Sequence, residues 1–440
     1  MKMPNELLKE IASENPRILD DIHYCSAGKN WWVKDASGSF RCLPPTLVSK
    51  HLQTLGVSGF RDHTGPSKVD RIMIDKAMDP VYFAGPVAGY QAGLLLLGTR
   101  KILVTESCVP MKAKEGDATR LKEWIFDLVG RDDNQYWTLL YWLHFRRKAL
   151  LTGRHHFGQL LVLAGPAGCG KSFFQSCVIT PLLGGRMARP YRYMAGQTAF
   201  NSELFAASHL AIEDETPARD LASRRSLGNQ IKVLLFTKDQ SCHPKGVDAF
   251  SLRPLWTMSL SVNAEPENLM ILPPIDESLA DKIIILLVQK PVDPMRSESR
   301  DDEGQRLAAL ADKELPAFAH ELDQLVIPTH WEDARCGVRA FQNPTVMKEL
   351  QGLAPEEMMH PMISETLFSI PPHYWKGSAL QLQKLLCSGI YSHEAKKLLS
   401  YPTACGVYLA RLAASRPAEY TKQFNRGVPF WVIQSTQGNE

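Results

Sequence analysis

Continuous apolar runs alternate with polar, helix-forming stretches through the middle of the chain. Four of these runs have the length and composition of strands buried on both faces. They lie at 160–163, 209–212, 256–262 and 282–288. Two stretches before them, Leu121–Leu128 and Tyr136–Leu143, carry apolar residues at the i, i+3, i+4, i+7 spacing of a helix face. The pattern predicts an α/β fold, a parallel sheet covered by helices.

The pattern changes along the chain and divides it into regions. Short apolar runs separated by turn residues come first, and three predicted helices followed by a hairpin come last. The expected regions are a small mixed α+β N-terminal domain (1–115), a helical linker or collar (116–152), an α/β core (153–291), a helical lid region (292–365) and a C-terminal winged-helix-like domain (366–440).

A glycine-rich loop follows the first core strand and matches G-x-x-x-x-G-K-[ST] without a mismatch. The loop consists of Gly165, Pro166, Ala167, Gly168, Cys169, Gly170, Lys171 and Ser172. Glycines let such a loop turn its backbone N–H groups toward a phosphate, and the helix predicted after it adds the positive end of its dipole. We therefore expect ATP and Mg²⁺ as cofactors, with Lys171 on the β/γ-phosphates and the Ser172 hydroxyl on the metal.

Acidic and amide side chains follow two other core strands. The run 209–212 is followed by Glu213, Asp214 and Glu215. We expect Asp214 to hold the metal and Glu215 to polarise the attacking water. Glu213 is the alternative for either role, because a shift of one residue along a strand swaps its faces. The third run ends in Asn263, whose amide could bond the γ-phosphate and the lytic water; an Asn that merely ends a strand fits equally well.

A turn-forming Pro-Lys-Gly sequence at 244–246 predicts the tip of a hairpin between these two strands. His243 and Lys245 at the tip, with Lys238 at the base, could hold phosphates if the tip points into the channel of a ring. The alternative is a solvent-exposed loop, and these residues alone favour it.

Composition limits the partners and the compartment. The chain has 440 residues and a net charge of +3, so nucleic-acid binding would have to rest on local basic patches. Its nine cysteines include no C-x-x-C pair and no zinc-site spacing, as is usual for reduced thiols inside a cell. Because the sequence has neither a signal-peptide-like segment nor an apolar run of membrane-spanning length, we expect a cytoplasmic protein without a membrane partner.

The order of these parts resembles the core of superfamily three helicases, an AAA+ subtype of viral, phage and plasmid replication proteins, and most resembles the helicase half of poxvirus- and phage-type primase-helicases. The resemblance covers roughly 117–434 and includes Thr198-Ala-Phe-Asn201 and Ser261-Val-Asn263. It implies a hexameric ring around single-stranded or forked DNA, with ATP hydrolysed between subunits. It also implies that Asn263 is the γ-phosphate sensor and that His243 and Lys245 contact DNA.

Two departures from the family pattern matter. The family usually supplies an arginine finger downstream of the sensor Asn, and here Asp281-Lys282 stands where Asp-Arg is expected. Lys282 is one candidate, although it lacks the bidentate fork of arginine, and Arg253 is the other. Further trans contacts to consider are Arg219, Arg224 and Arg225. In addition, no primase-like segment precedes the core, so we expect priming by a separate primase or polymerase, or none.

The C-terminal region has a basic bias that suits phosphate contacts. Its basic residues are Lys396, Lys397, Arg411, Arg416, Lys422 and Arg426, and our candidate DNA contacts among them are Arg411, Lys422 and Arg426. A winged helix used for protein contacts, or a solvated basic face, is the alternative.

These features together favour an ATP-dependent replicative DNA helicase of a phage, plasmid or mobile element that translocates on single-stranded DNA as a hexamer. Two other functions remain open: an AAA+ initiator or loader that remodels DNA or protein without unwinding, and a nucleotide-gated assembly switch. The weak finger motif keeps the switch open, since hydrolysis would be slow if no arginine fills that role.

Overall fold

The computed structural model describes residues 20–61, 65–213, 221–292, 303–368, 374–425 and 427–435. Its N-terminal part contains short strands, as the short apolar runs predicted, and two helices. The elements are β1 (Ile22–Cys25), β2 (Asn30–Lys34), β3 (Phe40–Leu43), α1 (Pro45–Thr54), α2 (Lys68–Met78), β4 (Phe83–Gly85), β5 (Gly93–Leu97) and β6 (Arg100–Val104). They form two three-stranded sheets, β1-β2-β3 and β4-β6-β5.

Helices and strands alternate through the middle of the chain. The elements are α3 (Thr119–Leu128), α4 (Asp133–Thr152), β7 (Leu160–Gly165), α5 (Lys171–Phe173), a π-helix (Phe174–Ile179), α6 (Thr180–Leu182), β8 (Met187–Ala188), α7 (Tyr191–Met194), α8 (Ser202–Phe205), β9 (His209–Ile212), α9 (Leu221–Phe236), β10 (Gln240–Cys242), β11 (Phe250–Leu252), β12 (Thr257–Asn263), α10 (Pro266–Leu269), α11 (Glu277–Ala280) and β13 (Ile283–Leu287). α5, the π-helix and α6 follow one another directly, and we call them together the P-loop helix.

A five-stranded parallel sheet forms the core, in the order β13-β7-β12-β9-β8. The four predicted apolar runs supply four of these strands, and this confirms the α/β class. Successive side chains of a strand point to opposite faces. Leu160 and Val162 therefore pack in a core that contains Leu227 and Ile231 of α9. Leu161 packs on the other face, in a core built with α3, α4, the P-loop helix and the first helix after β13.

The rest of the chain adds residues to both of these cores and then builds a separate one. The elements are α12 (Glu303–Gln324), β14 (Glu332–Asp333), β15 (Gly337–Val338), α13 (Pro344–Gly352), α14 (Pro355–Phe368), β16 (Tyr374–Gly377), α15 (Ala379–Ser388), α16 (Ser392–Leu398), α17 (Ala404–Ser415), β17 (Tyr420–Asn425) and β18 (Val428–Gln434). The predicted three helices and hairpin are present, and β16 adds a strand in the order β16-β18-β17. The winged-helix assignment and the region boundaries stay predictions. No helix in the described ranges is long and apolar enough to cross a bilayer.

Candidate nucleotide-binding site

The phosphate loop lies at the carboxyl edge of the central sheet, between neighbouring strands on both sides. β7 is buried along its whole length and pairs with β12 and β13. A Cβ atom added to Gly165 would lie 2.2 Å from the carbonyl oxygen of Val288, so a glycine is needed where the chain leaves β7. The crevice beyond the carboxyl ends of parallel strands is where α/β proteins bind their ligands.

Two glycines give the loop a backbone shape suited to phosphate. Gly168 and Gly170 have φ values of +70° and +98°, in the left-handed region that other residues rarely adopt. A Cβ at Gly168 would have no heavy atom within 4 Å, so the space beside the loop is open at this point. On the inner side, Gly170 approaches Trp124 of α3, where an added Cβ would lie 3.1 Å from the indole. The residues present therefore fit a bound phosphate chain.

Lys171 contacts Asn263, the candidate γ-phosphate sensor, beside this loop. Its ammonium donates to the carbonyl oxygens of Gly165 (2.9 Å) and Pro166 (2.7 Å) and to Oδ1 of Asn263 (3.0 Å). These three acceptors match the three protons of a lysine ammonium. In the sheet, Asn263 pairs in register with Gly165. The amide whose role the sequence left undecided thus lies directly beside the P-loop lysine.

The acids expected after β9 are described only in part. Asp214 and Glu215 lie outside the described residues, whereas the Glu213 carboxylate accepts a hydrogen bond from Arg189 at 3.0 Å. Leu210 and Ile212 of β9 pack on the α9 side of the sheet. If that alternation continues, Glu213 falls on the side of the P-loop helix. Among the described residues, no cluster of three or more His, Cys, Asp and Glu side chains could hold a metal ion. Ser172, an oxygen donor that suits Mg²⁺, is exposed.

Lys282 and Arg253, the two candidates for the role of the arginine finger, both form side-chain contacts within their own chain. Lys282 precedes β13, and its carbonyl oxygen accepts from the N–H of Leu160 at the start of β7, the opposite end of the strand from the phosphate loop. Its side chain is 10% exposed, pairs with Asp281 at 2.5 Å, and lies 4.8 Å from the ring centre of Phe236. Arg253 follows β11 and pairs with Asp239 at 3.1 Å.

The other three arginines considered as trans contacts differ in exposure. Arg224 is buried, its Nε donates to the carbonyl oxygen of Leu272 at 3.0 Å, and burial lowers the pKa of its guanidinium. Arg225, the next residue of α9, is exposed. Arg219 lies outside the described residues. A contact with a neighbouring subunit is therefore more accessible to Arg225 than to Arg224.

The predicted hairpin is present, and a side chain from outside the hairpin holds its first arm in place. β10 and β11 pair antiparallel, and the turn between them holds an exposed Lys245 beside Gly246, which has a φ of +76°. The Asn201 side chain clamps the first arm: its Oδ1 accepts from the His243 N–H at 2.7 Å, and its Nδ2 donates to the Ser241 carbonyl oxygen at 2.8 Å. Sequence reasoning quoted Asn201 as part of a motif but assigned it no role. Lys238, before β10, is exposed.

The N-terminal part contacts the second arm of this hairpin. The Tyr82 hydroxyl donates to the carbonyl oxygen of Asp248 at 3.3 Å, and Arg100 donates to that of Ala249 at 3.3 Å. The Tyr90 hydroxyl donates to the Arg253 carbonyl oxygen at 3.0 Å. Three separate side chains therefore join the hairpin to the β4-β6-β5 sheet and the loop within it.

The C-terminal DNA-contact candidates do not share one environment. Arg411 of α17 donates to a carboxylate oxygen of Glu356 at 3.1 Å. Lys422 of β17 is exposed and lies 5.8 Å from the ring centre of Trp431. Arg426 lies outside the described residues. Both described candidates are exposed, and Arg411 is the one that is paired with a carboxylate.

Comparison with known proteins identifies a fold but no sequence family. No family model and no curated protein matches the chain. The apo structure of the NrS-1 C-terminal region (305–718) is 11% identical and aligns over 99% of this chain and 99% of that chain with a TM-score of 0.56. A ligand-bound JCV helicase is 10% identical over 62% of this chain and 65% of that chain, with a TM-score of 0.30. SCCmec type IV Cch, described as an active helicase, is 10% identical over 90% and 73%, with a TM-score of 0.27.

The three alignments differ in what they establish. The score of 0.56 over nearly both whole chains shows that this chain has the fold of the NrS-1 C-terminal region. The scores of 0.30 and 0.27 for the two helicases are too low to argue from. The activity therefore has to be argued from the site.

Proposed function

We propose that the chain is an ATP-dependent DNA helicase that works as a hexameric ring on single-stranded or forked DNA. The observation that carries this proposal is the contact between Lys171 and Asn263 at a complete phosphate loop on the carboxyl edge of a parallel sheet. A loop lysine with a polar side chain from the neighbouring strand is the arrangement that phosphoryl transfer requires, since catalysis there is mainly positioning and charge stabilisation. The resemblance in motif order adds the helicase class.

Each side chain has a distinct task in this proposal. Bound ATP would supply the phosphoanhydride bond whose hydrolysis releases free energy, and Mg²⁺ would neutralise charge on its phosphates. The loop N–H groups hold the phosphates, and Lys171 exchanges its bonds to the Gly165 and Pro166 carbonyl oxygens for bonds to phosphate oxygens. Ser172 and the acidic run 213–215 hold the metal and a water molecule. Asn263, already adjacent to Lys171, orients that water.

The DNA-binding part of the proposal rests on the hairpin. Lys245 and His243 would contact one strand, and Lys238 and Lys422 would add backbone contacts. A basic residue of a neighbouring subunit would stabilise the transition state. We place this helicase in the cytoplasm, in the replication of a phage, plasmid or other mobile element, with a separate primase or polymerase.

One experiment distinguishes the helicase from the alternative functions. The chain is incubated with ATP and a forked duplex, and ATP hydrolysis, strand displacement and ring formation in electron micrographs are measured together. We expect DNA-stimulated hydrolysis, displaced strand and rings on the fork. Hydrolysis without displacement would indicate a loader or remodelling enzyme instead, and an absence of nucleotide binding would overturn the proposal.

A second candidate, a nucleotide-gated assembly switch, is favoured by the finger candidates. Lys282 is buried against Phe236, and Arg253 is paired with Asp239. If neither reaches a neighbouring site, transition-state charge is poorly neutralised and hydrolysis is slow. The switch predicts tight nucleotide binding, little turnover, and assembly that depends on ATP but not on DNA. The same measurements distinguish it from the helicase.

A further inference from the structure

Four side chains next to the phosphate loop form a cycle of hydrogen bonds that closes through the backbone carbonyl of Gln175. Gln175 Nε2 lies 2.7 Å from Ser259 Oγ, and Ser259 Oγ lies 2.7 Å from His209 Nε2. His209 Nδ1 lies 2.7 Å from Thr180 Oγ1, which in turn lies 2.8 Å from the carbonyl oxygen of Gln175. Thr180 is 6% exposed and the other three are fully buried. Leaving one of these groups without its partner would cost about 1–3 kcal/mol.

The donors and acceptors fit one direction around the cycle better than the other. Thr180 has one hydroxyl proton, and in the favoured direction it goes to the Gln175 carbonyl oxygen. His209 Nδ1–H then donates to Thr180, the Ser259 hydroxyl donates to His209 Nε2, and the Gln175 amide donates to Ser259. This direction satisfies four bonds. With the direction reversed, Thr180 donates to His209, and the Gln175 backbone carbonyl oxygen keeps only the Thr180 N–H as its donor, so one bond is lost. The cycle therefore selects the neutral Nδ1–H tautomer of His209.

The environment keeps this histidine neutral. His209 is fully buried, and burial lowers its pKa to about 3. Its two ring nitrogens face the two hydroxyl groups of Thr180 and Ser259. Both ring nitrogens thus act as fixed hydrogen-bonding groups throughout the pH range in which the protein would work.

The cycle connects the three elements that make up the nucleotide site. Gln175 and Thr180 belong to the P-loop helix, which starts at Lys171. The backbone N–H of Thr180 also donates to the Gln175 carbonyl oxygen five residues earlier, which is the spacing of a π-helix, and such segments occur often at functional sites. His209 starts β9, the strand that precedes the acidic run. Ser259 lies in β12, four residues before Asn263.

We propose that His209 is a positioning residue of the nucleotide site, which acts through Thr180 and Ser259 to hold the P-loop helix in register with β9 and β12. This inference rests on the proposed ATPase function. The cycle holds together the elements that carry Lys171, Asn263 and the end of β9. A shift of about 1 Å between such groups can lower the rate of a reaction about 100-fold while substrate binding persists.

The test uses Thr180, whose hydroxyl takes part in two of the four bonds. We expect Thr180→Val to lower kcat about 10- to 100-fold with KM changed less than about threefold, and Thr180→Ser to restore kcat. The matched control is Thr138→Val, because Thr138 is also fully buried in a helix but donates within α4, to the Asn134 carbonyl oxygen at 2.6 Å. We expect this control to lower Tm without a change in kcat below Tm.

A second measurement reads the cycle directly. Nitrogen-15 NMR of histidine-labelled protein, with His209 assigned by its loss in His209→Asn, should show a protonated Nδ1 and an unprotonated Nε2. The opposite tautomer, or a Thr180→Val variant with the kcat of Thr138→Val, would overturn the inference. If wild-type protein neither binds nor hydrolyses ATP, the proposed function has failed, and the NMR result still reports whether the cycle exists.

Discussion

Lys171 and Asn263 are 92 residues apart in the chain, and their side chains are joined by a 3.0 Å hydrogen bond in the folded protein. The contact follows from the sheet, because β12 places Asn263 opposite Gly165, where β7 ends and the phosphate loop begins. Replacing Lys171 and replacing Asn263, each in a separate variant, tests this relationship.

Replacing Lys171 by alanine should abolish DNA-stimulated ATP hydrolysis, because the loop then lacks the charge that holds the β/γ-phosphates in the proposed mechanism. Nucleotide binding measured by calorimetry should weaken by at least about tenfold, the effect of losing about 1.4 kcal/mol. Lys50→Ala, at an exposed lysine of α1, is the matched control and should behave as wild type. Full activity of Lys171→Ala would rule out this loop as the nucleotide site.

Replacing Asn263 by alanine should lower kcat about 100-fold with little effect on nucleotide affinity, because in the proposed mechanism its amide acts mainly on the lytic water in the transition state. Steady-state kinetics and a binding titration separate these two effects. Asn268→Ala, in α10 just beyond β12, is the control. If kcat is unchanged and affinity alone falls, Asn263 supports Lys171 and has no role in sensing.

Replacing Lys245 by alanine at the hairpin tip should reduce strand displacement while basal ATP hydrolysis persists. The slope of log affinity for single-stranded DNA against log salt concentration should fall by about 1, because one phosphate contact is lost. Lys50→Ala again serves as the comparison, since it removes an equal charge far along the chain. An unchanged salt slope would indicate that the tip does not contact DNA.

Replacing Gly165 by alanine should destabilise the protein strongly, because the new Cβ would lie 2.2 Å from the backbone carbonyl oxygen of Val288. Strain of this kind typically costs about 1–3 kcal/mol or more. Gly304→Ala is the control: it lies in α12, where an added Cβ meets nothing within 4 Å, and alanine favours helix. Thermal unfolding should show a lower Tm for the first variant and an equal or higher Tm for the second.

Stability should decrease as the pH falls below 6.5. Burial lowers the pKa of His209 to about 3 and that of His23 to about 4, against 6.5 in the unfolded chain. Below pH 6.5 the unfolded state therefore binds protons that the folded state does not, and each residue costs about 2 kcal/mol at pH 5. Above pH 7.5 these two histidines do not make the free energy of unfolding depend on pH.

Urea denaturation at pH 7 and pH 5 measures this effect. In His209→Asn, the difference in unfolding free energy between the two pH values should shrink by about 2 kcal/mol, the share of one histidine. An unchanged difference would mean that His209 is protonated in the folded protein, contrary to its burial.

The sequence predicted the parts of the fold that depend on local patterns. The phosphate loop is an eight-residue motif, and the four long core strands are continuous apolar runs, so both can be recognised without tertiary contacts. β8 has two residues, too few for any period, and β16 became visible only through its pairing with β18. Strands of this length are defined by their neighbours.

Side-chain partners were harder to predict than elements. Lys282 was proposed as a finger from its place in a motif, but its burial against Phe236 depends on residues far away in the sequence. His209 stood unremarked at the start of an apolar run, because nothing local shows that Thr180 and Ser259 lie on either side of it. Such contacts depend on how the strands and the P-loop helix are aligned with one another in the folded protein.

The bonds from Tyr82, Tyr90 and Arg100 to the hairpin arm and to Arg253 have a mechanical consequence. In the proposed helicase, movement of the hairpin tip would either carry the β4-β6-β5 sheet with it or break and re-form these bonds in every ATP turnover. Cross-linking the hairpin arm to the β4-β6-β5 sheet would distinguish the two cases. Strand displacement would persist if the sheet moves with the tip, and it would stop if the bonds must break.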